Sequence, residues 1–198
     1  MSETLWLTIL ITLAYLLGSL SSAILLARLF QLPDPRHHGS GNPGATNMLR
    51  VGGKKVAALT LVGDALKGVP PVSLALWLGL PEWGLALVAM AAFLGHLYPL
   101  FFGFKGGKGV ATALGVTLAA WWPAGVFIAG LWLLMAALVR ISSISALTAF
   151  LGGPFFAFFY FSSAIPAITL SFIFILLTWR HRKNISNLIK GTEGTIKT

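Results

Sequence analysis

The chain has 198 residues, 57% of them hydrophobic and only 10% charged, with a mean hydropathy of +0.85; a soluble domain carries about a quarter charged residues, so composition places this one among integral membrane proteins. The formal net charge of +9 would ordinarily suggest nucleic acid, but so few residues carry it in so apolar a chain that basic loops facing anionic lipid account for it, without a nucleic-acid partner. Cysteine is absent, which excludes disulfides, thiolate nucleophiles and cysteine metal sites.

A hydrocarbon core about 30 Å thick asks for about 20 helical residues. On that scale the first span is Leu5–Ala27. It is preceded by Glu3 and no cation and is longer than the apolar part of a signal peptide, so it is read as a retained helix. The second and third spans are Val56–Leu80 and Trp83–Phe102. A short fourth run, Val110–Ala120, ends in Trp121-Trp122-Pro123, an interfacial aromatic turn with proline opening the next helix. Pro123–Val139, Ile141–Phe161 and Ala164–Trp179 complete the set. The expected fold is all-α and polytopic: seven transmembrane helices, the fourth short, in one domain over residues 1–198.

Charge sets the orientation. Arg28, Arg36, Arg50, Lys54 and Lys55 fall between the first two spans, Lys105 and Lys108 after the third, and Arg140 after the fifth. Arg180, Arg182, Lys183, Lys190 and Lys197 lie in the tail. The connections at Pro81-Glu82, Trp121–Pro123 and Ser162-Ser163 hold no Lys or Arg. Seven spans with the N-terminus outside, or five plus a re-entrant pair, put every loop cation, and the C-terminus, on the cytoplasmic side.

Three polar islands then share that face. The first runs from Gly39 to Asn47, with Ser40, Gly41, Asn42, Thr46 and Asn47, followed by Arg50. It is rich in donors and free of carboxylates, and its glycines let backbone N–H groups approach an anion. The second is Gly95-His96 and then Lys105-Gly106-Gly107-Lys108-Gly109, which enters the N-terminus of the short fourth helix, where free N–H groups and the helix dipole attract anions. It is not a nucleotide-binding P-loop, because Phe102 and Gly109 stand where that motif needs Gly and Ser or Thr. The third island is Arg180 to Asn184 and on to Glu193. Its cations suit a lipid anchor, whereas His181 and Asn184 are spaced to share one side of a helical turn. Inside the second span, Asp64 and Lys67 sit at i and i+3. They form either a structural pair or part of a site, on a face turned to the bundle interior.

Neither a nucleophile elbow nor the H-x-x-x-x-D pair of the commoner glycerolipid acyltransferases is present. A site rich in cations and poor in bases suits attack by a bound hydroxyl on an already activated phosphate ester or anhydride, with charge stabilisation as the main contribution.

The set Gly39–Asn47 with Arg50, Asp64–Gly68, Gly95-His96 through Gly106–Thr112, and Arg180-His181 with Asn184 and Gly191–Glu193 resembles the PlsY family of bacterial membrane acyltransferases. The resemblance implies transfer of a fatty acyl group from acyl phosphate to the 1-hydroxyl of glycerol 3-phosphate, giving lysophosphatidate and phosphate. It also implies a seven-helix fold in the bacterial inner membrane, an active site facing the cytoplasm, and no cofactor or metal. Carried over, Ser40, Arg50, Lys108, His181 and Asn184 hold glycerol phosphate and the transferring centre. Gly41, Asn42, Thr46, Asn47, Lys105, Gly106, Gly107 and Gly109 cradle phosphate, with His96 and Glu193 counted among the binding residues. The rival expectation is a transporter or flippase for an anionic phosphorylated metabolite. It needs a polar path to both faces, and the outer connections offer little beyond Glu82.

Overall fold

The computed structural model describes residues 2–196; Lys197 of the basic tail lies outside them. Among the described residues there are ten α-helices, one 3-10 turn and no strand. The chain forms two compact units that meet in sequence between Ala120 and Trp121.

The first unit holds α1 (Glu3–Gly18), α2 (Ser22–Leu29), α3 (Ala45–Leu66), α4 (Val69–Trp77), α5 (Glu82–Leu97), the turn Leu100–Phe102 and α6 (Val110–Ala120). Sequence reading makes Leu5–Ala27 one span, but the structure bends it by 44° between α1 and α2. Serine is the reason: Ser19-Leu20-Ser21 interrupts the apolar run, and Ser21 caps α2 by accepting from the Ile24 backbone N–H. The second span starts eleven residues earlier than expected, at Ala45 rather than Val56. Thr46, Asn47, Arg50, Lys54 and Lys55 therefore lie on α3 and not in a loop. A polar stretch can open a helix once Gly44 frees its first turn, and hydropathy alone does not see that. The helix is kinked at Gly53, whose φ of 78° and ψ of −176° are open to glycine alone. It ends near Gly68, where Pro70 and Pro71 begin α4, needing no N–H of their own.

Small residues let these helices approach closely. A Cβ at Gly95 would run into the Tyr15 carbonyl, and one at Gly18 into the Ala92 carbonyl, so α1 and α5 cross backbone to backbone. The same holds for Gly115 of α6 against Ala65 of α3. The core of the unit is Leu10, Ala14, Val72, Val88, Ala92 and Val116.

The second unit holds α7 (Trp122–Val139), α8 (Ser142–Tyr160), α9 (Ile165–Arg180) and α10 (Arg182–Ile189). α8 packs on both α7 and α9. Phe127 stacks on Phe156, which stacks on Tyr160. The tail after α10 returns to the start of α8, with the Ile196 N–H donating to the Arg140 carbonyl at 2.7 Å.

Large apolar side chains such as Trp77, Leu138 and Phe159 stand more than two-thirds exposed, as expected of surfaces solvated by lipid. Among the described residues, four helical runs are long and apolar enough to cross a membrane: Ala45–Trp77, Glu82–Phe102, Trp122–Val139 and Ser142–Tyr160. The bent pair makes a fifth, and Val110–Ala120 and Ile165–Arg180 are shorter apolar helices. The chain is a multi-pass membrane protein.

Candidate active site

The first island is a loop with its own internal frame. Arg36 grips Asp34 through two parallel bonds, Nε to Oδ1 at 3.0 Å and Nη2 to Oδ2 at 2.6 Å. The Arg36 side-chain bonds hold the Asp34 carboxyl at about 2, below its ordinary 3.8. Because the folded value lies below the unfolded one, this pair stabilises the loop above about pH 4, and its contribution is lost as pH falls toward 2. The melting temperature of wild type is thus expected to exceed that of Asp34→Asn at pH 6, and the gap to close on acidification; a gap independent of pH would contradict this.

Asn47, in the first turn of α3, closes the same loop. It is buried, and its amide oxygen accepts from the Ser40 N–H at 2.8 Å while its amide nitrogen donates to the Pro35 and His38 carbonyls. Sequence reading counts Asn47 as a phosphate contact. In the structure both ends of its amide hold the loop backbone, so it positions Ser40. Gly39 must be glycine here, since its φ is +63° and a Cβ would collide with the Asn47 amide oxygen. Ser40, Gly41 and Arg50 are exposed, with Asn42 and Thr46 half-buried.

The second island lies along the last turn of α5 and leads straight into α6. A Cβ at Gly106 would strike the His96 and Leu97 carbonyls, and one at Gly109 the Phe93 ring. A Cβ at Gly107 would meet His96 Nε2 and, at 3.1 Å, the Pro43 carbonyl. The backbone therefore passes too close for side chains at those positions. Between Gly106 and Gly109 only Lys108 carries one; it is half-buried, whereas Lys105 is exposed. The contact of Gly107 with Pro43 brings the first and second islands together.

Behind them lies a buried polar cluster. Lys67 Nζ donates to Asp64 Oδ1 at 3.0 Å, to the Leu20 carbonyl at 2.6 Å and to His96 Nδ1 at 2.8 Å. Asp64 also accepts from the Ser22 N–H, and its carbonyl accepts from the Thr112 hydroxyl at 2.8 Å. Asp64 and Lys67 do face the interior, as expected, and tie α2, α3, α5 and α6 together. Sequence reading missed Ser22 and gave Thr112 a place in the motif but no role; their partner Asp64 is more than 40 residues away in the chain.

The third island belongs to the second unit. His181 is buried at the junction of α9 and α10, and its Nδ1–H donates to the Leu177 carbonyl at 2.8 Å. In the neutral ring this leaves the lone pair on Nε2. Asn184 follows in the first turn of α10. Its side-chain N–H donates to Glu193, which also accepts from the Ser143 hydroxyl at 2.8 Å and from Asn187 at 3.3 Å. Glu193, counted from sequence among the binding residues, is thus a brace for Asn184. A carboxylate engaged by three donors is poorly suited to meet an anion. Ser143 went unnoticed because a serine opening an apolar helix looks like a cap.

Fold and site define a polytopic membrane protein whose first unit carries two glycine-rich, donor-bearing loops joined at their backbones. The glycerol-3-phosphate acyltransferase family model matches residues 8–191, and the chain belongs to that family. Among curated relatives it is 50% identical to the glycerol-3-phosphate acyltransferase of Methylococcus capsulatus over 188 residues, covering 95% of each chain. It is 52% identical to that of Erwinia tasmaniensis over 187 residues, 94% of this chain and 90% of the relative. Among solved structures it is similar to PlsY (YgiH), an integral membrane glycerol 3-phosphate acyltransferase. The glycerol 3-phosphate form matches with a TM-score of 0.92 at 39% identity, over 97% of this chain and 96% of that one. The lysophosphatidic acid form matches at 0.88 and 38%, over 96% and 94%.

Proposed function

We propose that this chain transfers a fatty acyl group from acyl phosphate to the 1-hydroxyl of glycerol 3-phosphate, releasing lysophosphatidate and phosphate. Solved relatives with glycerol 3-phosphate and with lysophosphatidic acid support the acceptor and product. The single observation that carries the donor is the close approach of Gly107, where a Cβ would lie 3.1 Å from the Pro43 carbonyl, to the first-island loop. It sets side by side two donor-rich segments, enough to hold two anionic reactants. The acyl phosphate is already a mixed anhydride, so no enzyme nucleophile is needed. The glycerol oxygen attacks the acyl carbon, its proton passes to a phosphate oxygen of a bound reactant, and the bond to the leaving phosphate breaks.

In this reading Ser40, Arg50 and Lys108 hold the phosphates and the developing charge, helped by Gly41, Asn42, Thr46, Lys105 and the Gly106–Gly109 backbone. His181 and Asn184 are the residues of the second unit that the reading assigns to the reaction. The loop charges support seven spans with the N-terminus outside and the site facing the cytoplasm, and the family supports a bacterial inner membrane. No cofactor takes part.

The test is conversion by purified protein in lipid. Acyl phosphate with glycerol 3-phosphate is expected to yield lysophosphatidate and acyl-CoA none; acyl-CoA-dependent product alone would overturn the donor. His181→Gln is expected to keep turnover within about 10² of wild type, the low end of general-base contributions; a larger loss would move the proton to His181. Glu193→Ala should lower kcat/KM about tenfold, and combining it with Asn184→Ala should cost little more than Asn184→Ala alone, because both act through one side chain. Additive losses would detach Glu193 from the site.

A further inference from the structure

Lys67 is a cation buried among helices, 47 residues from one of its partners and 29 from another, and the proposed reaction makes no use of it. As an ammonium it has no acceptor capacity, so its 2.8 Å contact with His96 Nδ1 requires that nitrogen to accept. A neutral ring that accepts at Nδ1 carries its proton on Nε2. Asp64 Oδ1 lies 3.7 Å from the same Nδ1, beyond hydrogen-bond range, and is engaged by Lys67 and the Ser22 N–H. Nε2 stands over Gly107, at the point where the Pro43 carbonyl also closes in.

We propose that Lys67 is a positioning residue for acyl transfer: held by Asp64 and the Leu20 carbonyl, it fixes His96 as the Nε2–H tautomer, and that ring sets the Gly106-Gly107 segment against the Pro43 loop. The reading rests on the reaction proposed above. His96, counted from sequence among the phosphate contacts, then acts through the loops and not on the substrate. The arrangement links the interior of the helix bundle to both anion-binding segments through one ring. A pair that merely stabilised the bundle would leave KM for glycerol 3-phosphate unmoved once the fold is kept.

The test uses the full chain in lipid nanodiscs with 15N-labelled histidine, the His96 signals being identified as those lost in His96→Gln. Wild type is expected to show His96 protonated at Nε2 and bare at Nδ1; protonation at Nδ1, or at both nitrogens, overturns the proposal. In Asp64→Asn/Lys67→Met, which leaves no buried charge unpaired, the single tautomer should be lost. KM for glycerol 3-phosphate should rise at least about tenfold, within the roughly 10² that an ångström of misplacement costs. His96→Gln leaves the Asp64–Lys67 pair in place and removes only the bridge, and it should raise KM alike. An unchanged KM in His96→Gln overturns the proposal even where the double variant fails to fold. A wild type that transfers nothing from acyl phosphate defeats the reaction instead, and the tautomer then decides the role of Lys67.

Discussion

Lys108→Met is expected to lower kcat by about 10²- to 10³-fold, the usual loss when a group that stabilises transition-state charge is removed from a preorganised site. The glycines at 106, 107 and 109 pack directly on α5 and the Pro43 loop, so Lys108 is the only side chain that this stretch can offer a phosphate. Methionine matches its length and flexibility without the charge. The fold should survive, because Lys108 is half-buried in a segment held by backbone contacts. Initial rates with saturating acyl phosphate and glycerol 3-phosphate, alongside a melting curve, separate the two effects. Arginine should not restore the rate, since its planar fork differs in shape and reach from an ammonium. Near-normal turnover in Lys108→Met would remove the central cation from the mechanism.

Gly107→Val should be the most damaging change to a residue without a functional group. Its Cβ would collide with His96 Nε2 and crowd the Pro43 carbonyl, and neither the ring nor the backbone is a loose end that can swing aside. Overpacking of this kind costs about 1–3 kcal/mol. Activity should fall further than stability does, because the collision separates the two donor-rich segments that the proposed reaction uses. The measurement is activity per folded molecule, with folding followed by thermal unfolding in detergent. Gly103→Val is the control: Gly103 has nothing within reach of a Cβ but adopts a positive φ of 62°, so it should be strained yet leave the rate per folded molecule unchanged. Equal losses per folded molecule at the two positions would mean that the joint at Gly107 has no special part in the rate.

The sequence made the helices and the polar islands legible, because apolar runs and donor-rich gaps alternate plainly. The breaks inside the runs were less legible. Ser21 and Gly53 divide helices by capping and by backbone dihedral, and neither changes mean hydropathy. Ser40, Arg50 and Lys108 were identifiable as site candidates from residue type alone. What residue type does not reveal is whether a polar side chain faces a ligand or another part of the protein. Asn47 and Ser40 look alike in the sequence, yet Asn47 lies buried under the loop with three backbone partners while Ser40 is exposed. Glu193 is similar: its partners Ser143 and Asn184 come from different helices, and only the folded chain brings them to one carboxylate.

The bend at Gly53 has a mechanical consequence for Arg50. A straight rod from Arg50 to the end of α3 would be about 24 Å long at 1.5 Å per residue, so leaning the rod by about 10° would sweep Arg50 through about 4 Å. Bilayers of different thickness impose leans of that order. With the rod interrupted three residues beyond Arg50, the lever arm is cut to a single turn, and the guanidinium is insulated from the changing thickness of the lipid around it.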